Sequence, residues 1–388
     1  MTVRVRLVDS ISHVPGKEWD TCASAVGGPY NPFVSHAFLS ALEQSGSATV
    51  KTGWDARHIV LEEEGVIAGV AACYLKSHSQ GEYVFDHGWA EAFHRAGGRY
   101  YPKFQLCAPF TPVTGPRLLA GKTEHRKLMA QAAAASCSAH DASSVHMTFL
   151  PEAQVDELAG ELYGGTWLRR RDIQFHWHND NYATYEDFLG SLASAKRKNL
   201  RKERQSVRDA GIEFELLSGK DLTETHWDHF FAFYMDTGSR KWGHPYLTRQ
   251  FFSLIGEQMA KDVLLVMAKR NGHYIAGALN FIGGDTLYGR NWGCIEHHPC
   301  LHFETCYYQA QEFAIARGLK VVEAGAQGEH KLARGYVPIA THSLHHVEHA
   351  GLRRAIADYL MNETRAMSRE QNLMAEHTPF KTVGKTGT

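Results

Sequence analysis

The sequence has no long hydrophobic run and no concentration of cysteine. Nowhere do about 18 apolar residues follow one another, and the start Met1–Arg4 leads into no apolar stretch of signal-peptide length. These absences predict a cytoplasmic chain without a membrane span. The seven cysteines are scattered and form no Cys-x-x-Cys pair, which indicates a reducing compartment in which the thiols are mostly buried.

Several common catalytic motifs are also missing. The sequence contains no Gly-x-Ser-x-Gly elbow, no Walker phosphate loop, no dinucleotide fingerprint and no His-Glu-x-x-His pair. Histidine is abundant, with 24 residues that include clusters at 297–302 and 342–349, but neither cluster has a recognised zinc-ligand spacing. We therefore expect no metal site and no permanently bound cofactor.

Neither sign of charge is in large excess. The 388 residues carry a net charge of -1, with 44% hydrophobic and 21% charged residues, which is typical of a soluble protein large enough for two cores. The molecule as a whole is therefore not a general polyanion binder, and no DNA partner is expected. Any phosphate contact has to come from a local patch.

One pattern occurs twice in the chain. Pro32–Ser35 followed by Phe38–Ser40 is matched in residue type by Pro245–Thr248 followed by Phe251–Ser253. Ile67-Ala68-Gly69-Val70 and Ile275-Ala276-Gly277-Ala278 then follow the two copies at nearly the same spacing. Two long copies predict a duplicated domain, since a solenoid needs several short repeats. A duplication also predicts a ligand site in a cleft between the two domains.

Apolar periodicity predicts a mixed α+β chain. In the first half the expected strands are Val3–Val8, His58–Glu62, Val66–Leu75, Tyr83–Phe85 and Val145–Leu150. The expected helices are Lys17–Ala25, Ser35–Gln44 with Ser35 as its N-cap, and Lys127–Ala139. The second half is expected to contain a strand at Ile212–Leu217, helices at Trp227–Met235 and Thr248–Met259, and a meander of Val263–Lys269, Tyr274–Phe281 and Thr286–Asn291 with a turn at Asn271-Gly272. A helix near 303–317 and a final helix from Leu352 follow. We predict an N-terminal domain at 1–170, a C-terminal domain with the active site at 171–370, and a flexible tail at 371–388.

The most basic segment is Lys196–Arg208. Its arginines 197, 201, 204 and 208 would line one face of a helix, and guanidinium groups offer a fork of donors to phosphate oxygens. We therefore predict that Lys196, Arg197, Arg201 and Arg204 bind an anionic ligand. The alternative is a solvated helix face, which is what most charge runs form.

A polar segment, Glu323–Pro338, follows a predicted strand. Glu329 or His330 could accept a proton from an amine, and Tyr336 could donate one to a leaving group. Three neighbours in the same segment are candidates for holding a phosphate or carboxylate, namely Gln327, Lys331 and Arg334. The alternative is a surface turn that caps a sheet.

Two aromatic segments could line a groove. One face of the strand near 288–293 presents Arg290 and Trp292, and an arginine buried there would need a partner. Lys241 and Trp242 combine a cation with an aromatic ring just before the repeated helix, an arrangement that suits an anionic or planar group. Exposed surface positions are the alternative in both cases.

Several of these segments resemble the FemAB-like group of predicted N-acyltransferases, described by peptidoglycan biosynthesis or recognition, within the GNAT superfamily. The matching segments cover most of residues 30–365 and are Tyr101–Gln105 with Pro109–Arg117, Gln174–Trp177, Lys196–Arg204, Lys241–Gly243, Leu301–Glu304 with Cys306–Gln309, and Gly325–Tyr336. The resemblance implies two tandem GNAT-like domains, each a mixed, mostly antiparallel sheet flanked by helices.

The same resemblance implies an N-acyltransferase in which an amine attacks an activated ester or thioester directly, so that no covalent enzyme intermediate is needed. The site would face the interdomain cleft, with His302 and Glu304 among its binding residues and with Tyr101, Lys103 and Gln105 closing one wall. The Gly293–Leu301 segment lacks the glycine-containing loop with which many such domains bind acyl-CoA pyrophosphate. True Fem enzymes also carry an inserted coiled-coil arm, and the sequence shows no long heptad segment that would form one.

Three functions remain open beside a purely structural duplication. The first is acyl transfer from acyl-CoA or another thioester to a small-molecule or peptide amine. The second is Fem-like aminoacyl transfer from charged transfer RNA to a peptide or cell-wall precursor. The third is a non-catalytic module that binds a cell-wall precursor.

Overall fold

The computed structural model describes residues 2–162, 166–241, 245–325, 328–376 and 379–381. The chain divides into two compact units that interleave along the sequence. Unit 1 contains Met1–Asp172, Tyr246–Phe251 and Ala340–Ser368, and unit 2 contains Ile173–Pro245, Phe252–Ile339 and Arg369–Thr388. Each unit is a group of residues that are close in space and contains segments from distant parts of the sequence. The predicted domain boundaries at residues 170 and 370 therefore stay a prediction.

The strands in chain order are β1 Val3–Val8, β2 Trp54–Ala56, β3 His58–Glu63, β4 Val66–Ala71, β5 Cys73–Lys76, β6 Lys103–Leu106, β7 Leu119–Ala120, β8 Ser144–Leu150, β9 Trp167–His178, β10 Ile212–Leu217, β11 Val263–Arg270, β12 His273–Ile282, β13 Thr286–Cys294, β14 Val321–Glu323 and β15 Tyr336–Val347. The helices are α1 Gly16–Ala25, α2 His36–Gln44, α3 His87–Arg95, α4 Thr123–Ala139, α5 Glu152–Leu162, α6 Tyr185–Ser191, α7 Ser194–Asp209, α8 Glu224–Lys241, α9 Arg249–Gln258, α10 Leu301–Phe303, α11 Gln309–Ala316 and α12 Ala350–Glu376. A π-helical segment, Glu304–Tyr308, joins α10 to α11, and a 3-10 turn covers Glu329–Arg334.

Unit 1 contains two groups of paired strands. The first is an antiparallel sheet in the order β1-β3-β4-β7, whose β3–β4 hairpin turns at Glu64-Gly65, both with positive φ, as a two-residue hairpin with type I′ geometry requires. The second contains β15, β8, β6, β5 and β2, with β6 parallel to β8. Apolar side chains of these strands pack with α4 into one core cluster, which includes Leu61, Phe104 and Met129.

Two predictions for the first half are wrong. The single strand expected at Val66–Leu75 breaks at Ala72, because Ala71 pairs with β3 whereas Cys73 pairs with β6. The strand expected at Tyr83–Phe85 is a loop, in which Tyr83 has a positive φ and Phe85 is exposed. Periodicity over a few residues does not say which sheet a strand will join, since the pairing partners are distant in sequence.

Unit 2 contains strands in the order β10-β11-β12-β13-β14 followed by the end of β9. All these pairings are antiparallel except that of β13 with β14, where Tyr288 lies opposite Glu323. The β11–β12 hairpin turns at Asn271-Gly272, both with positive φ, as the sequence predicted. The described elements confirm the predicted fold class of mixed, mostly antiparallel sheets flanked by helices.

The two copies of the repeated pattern form equivalent local structures. Ser35 is the N-cap of α2, its hydroxyl accepting from the Phe38 amide, and Thr248 stands at the same place before α9. Within unit 1 the matched phenylalanines also touch, since the rings of Phe38 and Phe251 meet edge to face with centroids 5.9 Å apart. The repeat thus marks a real structural duplication in the elements that follow it.

No helix among the described residues has the length and apolar character needed to cross a bilayer.

Candidate functional site

The end of β14 holds a buried charge network in unit 2. Glu323 lies opposite Tyr288 of β13 and opposite His176 of β9, so its carboxylate meets side chains from two neighbouring strands. Arg290 Nη2 donates to Glu323 Oε2 at 2.6 Å, and His176 Nε2 lies 3.3 Å from Glu323 Oε1. Burial by itself would raise the pKa of Glu323, but Arg290 and His176 outweigh burial and hold the pKa at about 2. The arginine that needed a partner therefore has one.

The 3-10 turn Glu329–Arg334 follows this strand and brings two cations inward. Lys331 and Arg334 are only 2% and 4% exposed. The Lys331 ammonium donates to the Gly325 carbonyl at 2.9 Å, and burial followed by the nearby Arg290 lowers its pKa to about 8. Arg334 donates to Glu203 at 2.8 Å and lies over the Phe303 ring, with its guanidinium carbon 3.4 Å from the centroid.

The one hydrogen-bond partner of the Lys331 ammonium among the described residues is thus a neutral carbonyl, and the centroid of the Phe175 ring lies 5.8 Å from the ammonium. An ammonium group has three donors, and a buried cation is stable only when its interactions replace those of water. Within the described residues no ion pair is formed by Lys331, in contrast to Arg290 and Arg334. This side chain therefore keeps donors for an anionic or carbonyl group of a ligand.

The third polar side chain of the turn, His330, is exposed and bonded to Tyr307. The Tyr307 hydroxyl and His330 Nε2 lie 2.9 Å apart. Partial burial, then Arg334, then Lys331 lower the pKa of His330 below its ordinary value, so the ring is neutral near pH 7. A neutral imidazole can accept a proton, the role predicted from the sequence for this position.

Tyr307 reaches His330 from the π-helical segment. An extra residue in a helical turn shifts the side chains that follow it, and such segments occur often at functional sites. The His302 ring lies 5.3 Å from Trp292, 5.4 Å from Tyr307 and 6.3 Å from His330 between centroids. Predicted residues from β13, α10 and the 3-10 turn therefore meet in one aromatic cluster.

Tyr336, predicted to donate a proton, is fully buried beside Tyr307, with ring centroids 5.5 Å apart. Burial raises the pKa of Tyr336 well above its ordinary value. Its hydroxyl has no hydrogen-bond partner among the residues that the structure describes. The arrangement places Tyr336 behind Tyr307, where it supports the aromatic cluster.

Two predicted ligand-binding residues bind each other. The Arg204 guanidinium donates to both carboxylate oxygens of Glu304, with the shortest distance 2.8 Å, and also to Glu312 at 2.7 Å. Both Arg204 and Glu304 are buried, and Arg204 lies over the Tyr185 ring. This pair joins α7 to the π-helical segment and so holds Tyr307 in place.

The rest of the basic run is accessible. Lys196 and Arg201 are exposed, Arg197 is half-buried, and Arg201 pairs with the exposed Glu186. Further cations are exposed along α7, namely Lys198, Lys202 and Arg208. The helix therefore divides its charges between one internal ion pair and a basic surface.

A cavity of about 260 Å³ opens at the end of β13. It is lined by Thr237, Trp292, Cys294, Glu296, His297, His298, Leu301 and His302. This is the Gly293–Leu301 segment in which the sequence lacks a pyrophosphate loop. Trp292 and His302 belong both to this wall and to the aromatic cluster, so the cavity and the cluster share two side chains.

The predicted residues of the first half are buried in unit 1. Lys103 is fully buried and bonds Glu82 at 2.7 Å and also Asp86. Gln105 donates to the Thr148 hydroxyl at 3.0 Å, and the Tyr101 hydroxyl lies 2.8 Å from Ser79 Oγ. Their proposed role as a wall of the site stays a prediction.

Four other candidates cannot be placed. Gln327 and Trp242 lie outside the described residues, and so do the side chains of Glu329 and Lys241. Three side chains that the sequence did not single out contribute to the cluster, namely His176, Glu203 and Tyr307. Nothing in the local sequence pointed to the hydroxyl of Tyr307, whereas Glu203 could have been noticed as the one acidic residue within the basic run.

No cluster of three metal-binding side chains occurs in the described parts of the chain.

The fold is shared with solved structures of low sequence identity. The crystal structure of FemX matches with a TM-score of 0.57 at 12% identity, over 92% of this chain and 100% of that chain. The C-terminal domain (DUF2156) of a putative lysylphosphatidylglycerol synthetase from Agrobacterium fabrum matches with a TM-score of 0.55 at 8% identity, over 90% and 95%. L-PGS from Bacillus licheniformis matches with a TM-score of 0.51 at 8% identity, over 86% and 98%.

These likenesses show that the chain shares its fold with FemX, and the observed elements confirm the predicted mixed, mostly antiparallel sheets flanked by helices. A family model, FemAB-like, described as peptidoglycan biosynthesis/recognition, matches residues 10–382. The chain therefore belongs to the FemAB-like family, and the predicted class, a transferase of acyl or aminoacyl groups, is confirmed at the level of the family. No curated protein matches the chain.

Proposed function

We propose that this chain transfers an aminoacyl group from charged transfer RNA to an amine of a cell-wall precursor peptide. The observation that carries the proposal is the 3-10 turn in which a neutral, exposed His330 stands beside a buried Lys331. One group can accept a proton and the other can stabilise developing negative charge. Cytoplasmic action follows from the same proposal, since charged transfer RNA is found there.

The chemistry is a direct displacement. The neutral acceptor amine attacks the carbonyl carbon of the ester and forms the new C–N bond while the carbonyl oxygen gains negative charge. His330 accepts the proton that the nitrogen loses, and Lys331 stabilises the oxyanion. The C–O bond to the ribose then breaks, and the ribose oxygen takes up a proton, so that an amide and uncharged transfer RNA are released.

The exposed surface of α7 supports a polynucleotide as the donor. From Lys196 to Arg208 the helix extends about 18 Å, at roughly 1.5 Å per residue. Cations spread over such a length can contact several phosphates of a backbone, whereas a single pyrophosphate would use one end of the surface. The net charge of the chain is only -1, so this surface is a local concentration.

The acceptor is proposed from the family. Its description names peptidoglycan biosynthesis or recognition, and peptides of that kind of polymer offer free amines. A neutral base such as His330 suits an amine that must lose a proton on attack.

Acyl transfer from a thioester is a second candidate, because the cavity at the end of β13 lies at the Gly293–Leu301 segment, the place of the pyrophosphate loop in many such domains. Among the described lining residues there is no lysine or arginine, however, and the carboxylate of Glu296 is one of them. A thioester carried by a protein instead of CoA would avoid that carboxylate.

Transfer of a labelled group to a soluble precursor with a free peptide amine tests the proposal. Charged transfer RNA, acetyl-CoA and an acyl carrier protein serve as alternative donors. We expect transfer from the RNA donor, a loss of at least 100-fold in kcat/KM for Lys331→Met, and no change for Lys320→Met, a matched change at an exposed lysine. Transfer from a thioester alone would replace this proposal with the second candidate.

Binding provides an independent check. Lys196→Glu and Arg197→Glu should weaken binding of charged transfer RNA and reduce the dependence of log Kd on log salt by about one unit each. Lys320→Glu should leave both quantities unchanged. Binding that is equally strong and equally salt-dependent in all variants would remove α7 from the donor site.

A further inference from the structure

The charge of the cavity at the end of β13 differs from that of the neighbouring turn. Glu296 is the single carboxylate among the lining residues, and no lysine or arginine lines the described cavity. The remaining polar lining consists of imidazole, hydroxyl and thiol groups. Such a wall suits a group that donates hydrogen bonds and disfavours a diphosphate.

The Glu296 carboxylate is held by His298, which also lines the cavity, and by Arg270, which does not. His298 Nε2 lies 2.7 Å from Glu296 Oε2, and Arg270 Nη1 lies 3.5 Å from the same oxygen. The hydrogen bond with His298 lowers the pKa of Glu296, so the carboxylate is ionised near pH 7. Both contacts engage Oε2, and neither uses Oε1.

An aromatic ring completes the wall. Trp292 lines the cavity and touches His302, whose ring in turn contacts Tyr307 and lies near His330. An indole face attracts cations, and a carboxylate beside it adds to that attraction. The volume of about 260 Å³ is slightly below the range of roughly 300 Å³ upward that holds drug-sized ligands.

We infer that this cavity binds the aminoacyl end of the donor by its charged α-ammonium group, which Glu296 and Trp292 recognise together. This inference rests on the proposed function and deepens it, because every aminoacyl ester carries that ammonium group and an ordinary acyl thioester does not. The adjoining His302 leads from the cavity to His330, so the carbonyl carbon of the bound group would lie on the side of the proposed base.

Blocking the amine tests the inference. Alanyl- and lysyl-transfer RNA are compared with the same RNAs acetylated on the α-nitrogen, which removes the positive charge. The wild type should prefer the unblocked donors at least tenfold in kcat/KM, mainly through KM. A tenfold preference corresponds to about 1.4 kcal/mol of recognition. Because Glu296→Gln removes the negative charge that recognises the ammonium group, this variant should reduce the preference to about twofold.

Glu257→Gln, a change at an exposed glutamate on α9, is the matched control and should keep the full preference. Glu296→Asp keeps the negative charge on a shorter side chain and should retain part of the preference for the unblocked donors. A wild type that uses blocked and unblocked donors equally well, or a Glu296→Gln variant that still discriminates, would overturn the inference and leave the proposed function intact.

A binding measurement decides the matter without turnover. Alaninamide should bind the wild type at least fivefold more tightly than N-acetylalaninamide in calorimetry, and Glu296→Gln should remove the difference. If no charged transfer RNA supports transfer, the proposed function fails, and equal binding of the two amides would then reject the cavity assignment as well. Preferential binding of alaninamide would support the cavity independently of the reaction.

Discussion

At the scale of single residues, burial separates side chains that look alike in the sequence. Arg201 and Arg204 belong to one basic run, yet Arg201 is an exposed cation whereas Arg204 is buried in an ion pair with Glu304. Lys320 and Lys331 differ in the same way, with side chains that are exposed and buried respectively. Burial, followed by the nearby Arg290, lowers the pKa of Lys331 to about 8.

Glu323 gives the clearest residue-scale prediction of stability. Its pKa is about 2 in the fold, against an ordinary value of 4.5, so its ionised form stabilises the fold above pH 4.5 and this contribution is lost as the pH falls toward 2. Replacing Glu323 by Gln should lower the free energy of unfolding by about 3 kcal/mol at pH 7. Urea unfolding at pH 7 and pH 3 measures the difference.

The loss should shrink by more than half at pH 3, because glutamine resembles the protonated acid that the unfolded wild type then contains. Glu213→Gln, at an exposed position of β10, should change the free energy of unfolding by less than about 0.5 kcal/mol. A Glu323→Gln effect that is equally large at both pH values would mean that shape, not charge, makes this residue important.

At the scale of elements, the site depends on how closely helices approach strands. A side chain at Gly293 of β13 would place its Cβ 2.2 Å from the backbone carbon and oxygen of Phe233 in α8. Backbone atoms cannot move aside as the end of a flexible side chain can, so only glycine allows this contact. The same strand carries Arg290 and Trp292, and the contact therefore positions two residues of the candidate site.

Gly293→Ala should destabilise the protein by about 3 kcal/mol and reduce transfer activity, as α8 and β13 are forced apart. Gly190→Ala in α6 is the control, since its added Cβ meets no atom within 4 Å, and the change should be neutral or slightly stabilising. Thermal unfolding measures both variants. An unchanged melting temperature in Gly293→Ala would show that α8 yields more easily than the structure suggests.

At the scale of the whole molecule, the duplication leaves a physical contact between matched residues. Phe38 and Phe251 occupy the same place in the two copies of the pattern, and their rings meet edge to face in unit 1. Aromatic pairs of this geometry contribute about 0.5–1.5 kcal/mol beyond the area they bury. The contact therefore links the first turn of α9 with α2 in the N-terminal half of the sequence.

A double-mutant cycle measures this link. Phe38→Leu and Phe251→Leu should each destabilise the protein, and the double variant should lose about 1 kcal/mol less than the sum of the single changes. Phe38→Leu combined with Phe281→Leu, in β12 of unit 2, should be additive. Additive effects for the first pair would mean that the two rings are neighbours without a specific interaction.

The sequence determined those features that depend on near neighbours. The Asn271-Gly272 turn, the Ser35 cap and the bounds of Ile212–Leu217 follow from local conformational preferences, and all three are found as predicted. The duplicated pattern and the segments shared with the family can likewise be recognised in the linear sequence. The fold class could therefore be predicted from the sequence alone.

Only the tertiary structure decided which polar side chains are accessible and what they bind. Arg204 turned inward to Glu304, Lys103 to Glu82 and Asp86, and Arg290 to Glu323, each partner lying far away in sequence or on another strand. The free energy of a charge is set by the atoms around it, and these come from distant parts of the chain. For the same reason the His330–Tyr307 bond and the Glu296 cavity appear in the folded chain and not in its local pattern.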